Sequence, residues 1–182
     1  TNGPAAQRGT YVGTACSNGT ATFDWSIGGT ASGGTAGVMS TWNMFNRVAT
    51  SAVTTDNGTA YTYSSATVRQ ARASAGNQVT VVTGVKEEPV LITYTHREQS
   101  AAAAAAAFGV GIGLDSTSTY GAAQNVFANQ AVAATSTGAT AGMQWQMPTG
   151  QHVVSGNENS DGTNANTFDQ GPNNSLQVMV WN

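Results

Sequence analysis

The sequence predicts an all-β fold, an antiparallel β-sandwich or jelly roll of roughly ten strands. Three observations lead there. Apolar residues recur at every second position in several stretches: Phe23, Trp25 and Ile27; Phe108, Val110, Ile112 and Leu114; Leu176, Val178 and Val180. That period is the mark of a strand with one buried face. Clusters of Gly, Asn, Asp and Ser separate these stretches at the spacing expected of a sandwich. Finally, charged residues make up only 8% of the chain, against about 25% in an ordinary soluble protein. Val, Thr and four tryptophans are nevertheless spread along it, which is the composition of a folded β protein with a neutral polar surface rather than of a disordered chain.

The elements follow in order. GTYVGTAC and ATFDWSI flank SNG and read as a hairpin turning at Asn18 and Gly19. GGTASGGTAG, residues 28–37, is too rich in glycine for a regular element. VMSTWNMFNRVAT reads as a strand, with a helix as the competing reading on propensity. TTDNGTAYTYSS is a strand–turn–strand step with Asp56, Asn57 and Gly58 in the turn. ATVRQARA and NQVTVVTG are expected to form a hairpin about residues 74–77, and PVLITYTHRE is a strongly β-forming strand.

Next come seven alanines, residues 101–107. They are the best helix formers but span only two turns, and an isolated helix below about 12–15 residues is marginal. Beyond them, Phe108, Val110, Ile112 and Leu114 alternate with Gly109, Gly111 and Gly113. We read a strand with the alanines as its lead-in or first residues, a short helix being the alternative. Its glycine face implies close approach by another backbone or a bulky side chain. STSTYG is a turn, AAQNVFANQAVA a strand, TSTGATAG a loop and MQWQM a short strand stopped by Pro148. Residues 156–174 read as one long polar loop. In the closing SLQVMVWN, Met179 and Trp181 oppose the apolar face, so that strand is expected to lie inside a sheet or to be covered by a neighbour.

The 182 residues suit one domain. Residues 1–10, without an apolar pattern, are expected to form an N-terminal arm, and residues 11–182 a single β-sandwich domain. The net charge of −3 and the scattered Arg8, Arg47, Arg69, Arg72, Lys86 and Arg97 argue against nucleic-acid binding. Arg69 and Arg72 are close in sequence but would lie on opposite faces of an unbulged strand. Cys16 is the only cysteine, so no internal disulfide forms. No run of about 20 apolar residues suggests a membrane span. The N-terminus has no apolar signal core. The sequons at Asn18, Asn57 and Asn173 read as turns.

No catalytic residue, cofactor site or metal site emerges. Cys16, His96 and His152 fit neither a cysteine-hydrolase pattern nor a zinc spacing; Cys16 reads as a small buried residue and His96 as a surface or interface side chain. GVGIG is not a dinucleotide fingerprint. Asp161, Asn164, Asn166 and Asp169 are oxygen donors of the kind that bind Ca²⁺, but they do not have EF-hand spacing. Glu87 and Glu88 would point to opposite faces of a strand, and nothing in the sequence pairs Asp24, Glu98 or Asp115 with them.

The stretches GGTAGVMSTWNMFNRVATSA, GTAYTYSSATVRQA, AFGVGIGLDST and DGTNANTFDQGPNNSLQVMVWN resemble tailed-bacteriophage virion proteins of the capsid-decoration or fibre-head type. These in turn are similar to the trimeric jelly rolls of the C1q and tumour-necrosis-factor type. The likeness lies in composition and strand order. It implies a homotrimer with a structural, non-enzymatic role in the virion, assembled in the host cytoplasm. It carries over no functional residue. The expected partner is the major capsid protein or another virion protein, with no nucleic acid and no membrane. The alternative is a receptor-binding fibre head, with Tyr120 and Phe168 as loop aromatics that stack on host glycan. The five methionines and four tryptophans suit either an interface or a single core.

Overall fold

We describe the chain from a computed structural model covering residues 14–15, 41–42, 49–56, 58–84, 89–99, 106–121, 126–130, 136–169 and 174–181. The arm expected over residues 1–10, the turn at Asn18 and Gly19, Cys16, Asp24, Asn57, Glu87, Glu88 and Asn173 lie outside the described residues.

The fold is an all-β antiparallel sandwich. The short strands β1 (Thr14–Ala15) and β2 (Thr41–Trp42) pair with each other. The first large sheet contains β3 (Ala49–Thr55), β4 (Tyr61–Tyr63), β7 (Val90–Gln99), β10 (Ser136–Trp145), β12 (Asn166–Phe168) and β13 (Ser175–Trp181). The second contains β5 (Arg69–Gln70), β6 (Gln78–Thr83), β8 (Ala106–Leu114), β9 (Val126–Gln130) and β11 (Gly150–Ser160). Two long strands organise them. β7 pairs along its whole length with β10 on one edge; its other edge is shared by β13 and, further along, by β12. β11 pairs with β8 on one edge; its other edge is shared by β6 and β5.

Alternation decides what each strand buries. On β7, Val90, Ile92, Tyr94, His96 and Glu98 are all buried. On β11, His152, Val154, Glu158 and Ser160 share the inward phase. β8 turns Phe108, Val110 and Ile112 inward, and β13 turns Leu176, Val178 and Val180 inward. As expected from its two apolar faces, β13 lies inside the sheet, between β3 and β7.

Ala106 and Ala107 are the first residues of β8, so the end of the alanine run belongs to the strand. The glycine face is also explained at Gly113. A Cβ there would lie 2.0 Å from the carbonyl oxygen of Ser116 and 2.4 Å from Ser155 Oγ. The chain after β8 folds back over this face. Ser116 O accepts from Ser155 Oγ at 2.9 Å and from Asn157 Nδ2 at 3.2 Å. Thr119 O accepts from Asn157 Nδ2 at 2.7 Å. Glycine therefore makes room for backbone of the same chain.

Several expectations are corrected. β5 and β6 are not a hairpin about residues 74–77: both lie on the same edge of β11, and residues 71–77 stand opposite Gly156 alone. This excursion contains a short 3₁₀ turn, Ala71–Ala73, with Arg72 and Ala73 at φ 60° and 49°. Residues 136–142 are strand, not loop, because Ala139 and Ala141 continue the inward phase of Met143 and Trp145. The expected loop over residues 156–174 contains the second half of β11 and all of β12. Phe168 is 0% exposed rather than a loop aromatic, and His96 is 0% exposed rather than a surface group. Tyr120 is partly buried and donates to Asn159 Oδ1 at 2.5 Å.

Candidate functional site

The inward faces of β7 and β11 change character at one level. Below it they carry Val90, Ile92 and Val154, with His152 near the start of β11; above it they carry His96, Glu98, Glu158 and Ser160. Tyr94 and Gly156 mark the boundary. The Tyr94 ring crosses so close to β11 that a Cβ on residue 156 would sit 2.5 Å from it. Glycine at 156 is a steric requirement of that packing.

The register breaks on the two long strands occur at the same level, and they build the site. On β11 the excursion at residues 71–77 brings Arg72 inward beside Arg69. Arg69 donates from Nε to Glu158 Oε1 at 2.9 Å, with its second contact, from Nη2, at 2.8 Å. The backbone N–H of Arg72 donates to the same oxygen at 3.2 Å and to Tyr61 Oη at 3.1 Å. Tyr61 Oη donates to Glu158 Oε2. The Arg72 side chain turns to Asp56, with Nε at 2.9 Å from Oδ1 and 3.1 Å from Oδ2, and Nη2 donates to Thr59 O. Arg69 thus reaches the buried Glu158 carboxyl with its side chain and Arg72 with its backbone N–H, because the chain between them leaves the strand, while the Arg72 side chain serves Asp56. On β7, Asn174 bridges the break between β12 and β13. It accepts from Arg97 N at 2.8 Å and donates to Asp169 O at 2.6 Å.

Aromatic rings enclose the cluster. Tyr61 stacks on Phe168 at 5.4 Å between centroids, and Phe168 meets His96 edge-on at 5.3 Å and Phe108 at 6.1 Å. The Arg69 guanidinium lies 3.6 Å above the Tyr63 ring, in cation–π geometry. Burial raises the Glu158 carboxyl above its ordinary range despite the opposing bonds from Tyr61, Arg69 and Arg72. Burial, reinforced by the Glu158 charge, raises the Tyr61 phenol. Burial also lowers His96 to about 4, so its ring is neutral at pH 7. His96 Nδ1 faces Arg97 O at 3.0 Å and Nε2 faces Tyr61 Oη at 3.5 Å.

A second constellation pairs His152 with Asp115. Nδ1 lies 2.8 Å from Asp115 Oδ2 and Nε2 lies 2.8 Å from Pro148 O; Trp145 packs edge-on against the ring. An imidazole satisfies a carbonyl oxygen only by donating to it. Nε2, the atom a general base would use, is therefore occupied. Burial works against ionisation of Asp115, but the bonds from His152 and from Val153 N outweigh it and hold the carboxyl below its usual range.

The four oxygen donors of the 161–169 stretch do not converge. Asp161 caps its own turn, accepting from Thr163 N at 2.8 Å and Asn164 N at 2.7 Å. Burial opposes ionisation there, but these donors and the Asn164 amide hold the carboxyl at about 2. Asn166 faces inward and donates to Ala107 O, whereas Asp169 pairs with Arg97 at 3.3 Å. Among the described residues no group of three or more His, Cys, Asp or Glu side chains could hold a metal ion.

The Glu158 cluster was missed in the sequence because NENS reads as loop. Its signal is phase: Glu158 and Ser160 continue the inward period of Val154, and His96 and Glu98 continue that of Val90 and Ile92. No protein-family model matches the chain, and no curated protein matches it at significant similarity.

Proposed function

We propose that the chain is a non-enzymatic structural protein of a tailed-phage virion, acting as a capsid decoration protein that binds the head shell as a homotrimer. The observation that carries the non-enzymatic part is the state of Glu158. Its two oxygens meet Arg69, Tyr61 and the Arg72 amide while the residue is 0% exposed. A catalytic carboxyl needs a reacting atom within hydrogen-bond reach, and here protein donors take those positions. The same holds for His152, whose two ring nitrogens are both engaged. Such a cluster serves a rigid scaffold, whose work is done by its surface. The virion assignment rests on the resemblance in composition and strand order, together with the low charge, which suits burial against a protein shell.

The test is to mix the purified protein with undecorated heads and follow co-sedimentation, with light scattering to give the oligomeric state. The reading expects saturable binding of a trimer. A monomer that leaves heads bare but adsorbs to host cells would replace it with the fibre-head reading.

A further inference from the structure

The first sheet ends on β3. It pairs with β13 through all seven of its residues, and among the described residues no strand pairs with its other edge. A strand in that position offers a row of backbone N–H and C=O groups to any extended chain. Proteins blunt such edges with charge, proline, a bulge, shortness or a cover. β3 carries none of these devices. Its sequence ATSAVTT holds no charged residue and no proline. Its register runs without a break from Ala49 against Trp181 to Thr55 against Ser175. Its residues are exposed or half-buried on both faces, so no element buries the strand.

The edge is also held in place. On the outer face, Gln177 Nε2 donates to Ser51 Oγ at 2.9 Å. On the inner face, Thr54 Oγ1 donates to Gly76 O at 2.6 Å. An edge already fixed as a strand loses little further freedom when another strand joins it. Val53 lies between these anchors, across from Gln177. It is 57% exposed, and it is the one large apolar side chain left exposed among the described residues.

The chemistry of the edge points to its occupant. Backbone groups in a row receive an extended polypeptide. A contact between unlike surfaces needs a second apolar patch to take Val53, and the described surface offers none. A contact about a two-fold axis brings a patch to itself. The uncharged side chains of β3 present no repulsion to their own copy.

We propose that β3 is a docking edge for a second copy of this chain, added antiparallel about a two-fold axis centred on Val53, so that the first sheet continues from β13 through both β3 strands. Val53 then meets Val53 of the second copy, Ala52 meets its Thr54, and Ser51 meets its Thr55. A closed trimer has no two-fold axis, so this contact lies outside it and joins one closed unit to the next. It does not rest on the virion reading.

The test is sedimentation velocity of the full chain over a concentration series, with Val53→Lys, Val53→Glu and their equimolar mixture beside the wild type. The wild type is expected to form species at least twice the mass of the unit that Val53→Lys leaves. Like charges directly opposite each other destabilise a strand pair, so each charged variant should associate about fivefold more weakly than wild type. The mixture sets Lys against Glu at that one position and should recover association. A wild type that never exceeds the Val53→Lys unit overturns the proposal, as does a charged variant that associates like wild type or a mixture no better than its components. If a variant does not fold, hydrogen exchange of the wild-type chain decides. Protection of the β3 amides should rise with protein concentration, and exchange that ignores concentration overturns the proposal. The trimer reading fails separately, if Val53→Lys leaves a monomer.

Discussion

The two halves of the sandwich interior are built on the same strands with opposite chemistry. Toward one end, β6, β7, β8, β11 and β13 meet through Val79, Val81, Val90, Ile92, Ile112, Val154, Leu176 and Val178, and stability there follows buried apolar area. Toward the other, the same β7 and β11 meet through Tyr61, Arg69, His96 and Glu158. A polar interior is stable only when its donors and acceptors are matched. An apolar core tolerates small losses gradually; a buried ion pair fails abruptly when one member is removed. The register breaks at residues 71–77 on β11 and between β12 and β13 on β7 occur where one chemistry gives way to the other. They bring in the two arginines and the Asn174 bridge that the polar half requires.

The largest effect should come from unmaking that pair. Glu158→Ala leaves Arg69 and Tyr61 without their partner, and a loss of about 3–5 kcal/mol in urea unfolding is expected. Arg69→Met combined with Glu158→Met should cost clearly less than Glu158→Ala alone. If both variants lose the same amount, the contrast between the two halves does not hold.

The next effect is a pH dependence confined to the polar half. His96 has a folded pKa of about 4, below the unfolded value of roughly 6.5. As pH falls, the unfolded chain takes the proton first, so this contribution is complete above about pH 6.5 and is lost toward pH 4. The loss is of the order of 3 kcal/mol. Glu98 has the opposite sign: burial, with the Asp161 charge, raises its folded pKa to about 7, above the unfolded value of roughly 4.3, so its contribution falls as pH rises between them. The two slopes oppose each other over the shared window in the wild-type chain. Between about pH 6.5 and 4.5, above the range in which Asp115 and Asp161 titrate, urea midpoints should therefore show the acid loss most plainly in Glu98→Gln and not in the double variant His96→Gln, Glu98→Gln.

A smaller cost is expected outside both interiors. Gly113→Val would drive side-chain carbons into Ser116 O and Ser155 Oγ, with a loss of about 1–3 kcal/mol from overpacking. A rise in melting temperature would mean that the 115–120 turn does not pack on the β8 glycine face. The smallest change belongs to the apolar half: Ile92→Val should cost about 0.5–1.5 kcal/mol, and that cost should be the same at every pH because no titrating group is touched.

Period-two alternation, β propensity and the spacing of turn residues were enough to determine the all-β class and the strands expected over residues 89–98 and 108–114, and to narrow the C-terminal strand to a position inside a sheet or under a neighbour. These depend on local backbone geometry and on which face is apolar, and both are written in neighbouring residues. Phase also ran through His96, Glu98, Glu158 and Ser160, but polar side chains in a buried phase look like loop until something is known to face them. That information was nonlocal. Glu158 is 97 residues from Tyr61 and 89 from Arg69, and only the meeting of two sheets makes these groups partners. The pairing of β5 and β6 with β11 rather than with each other was equally out of reach, since a short turn between two β-prone segments specifies a hairpin only when no better edge is offered. Tertiary structure decided that competition. β11 presented one long edge that both segments could use, and the chain between them was released to carry Arg72 to Asp56.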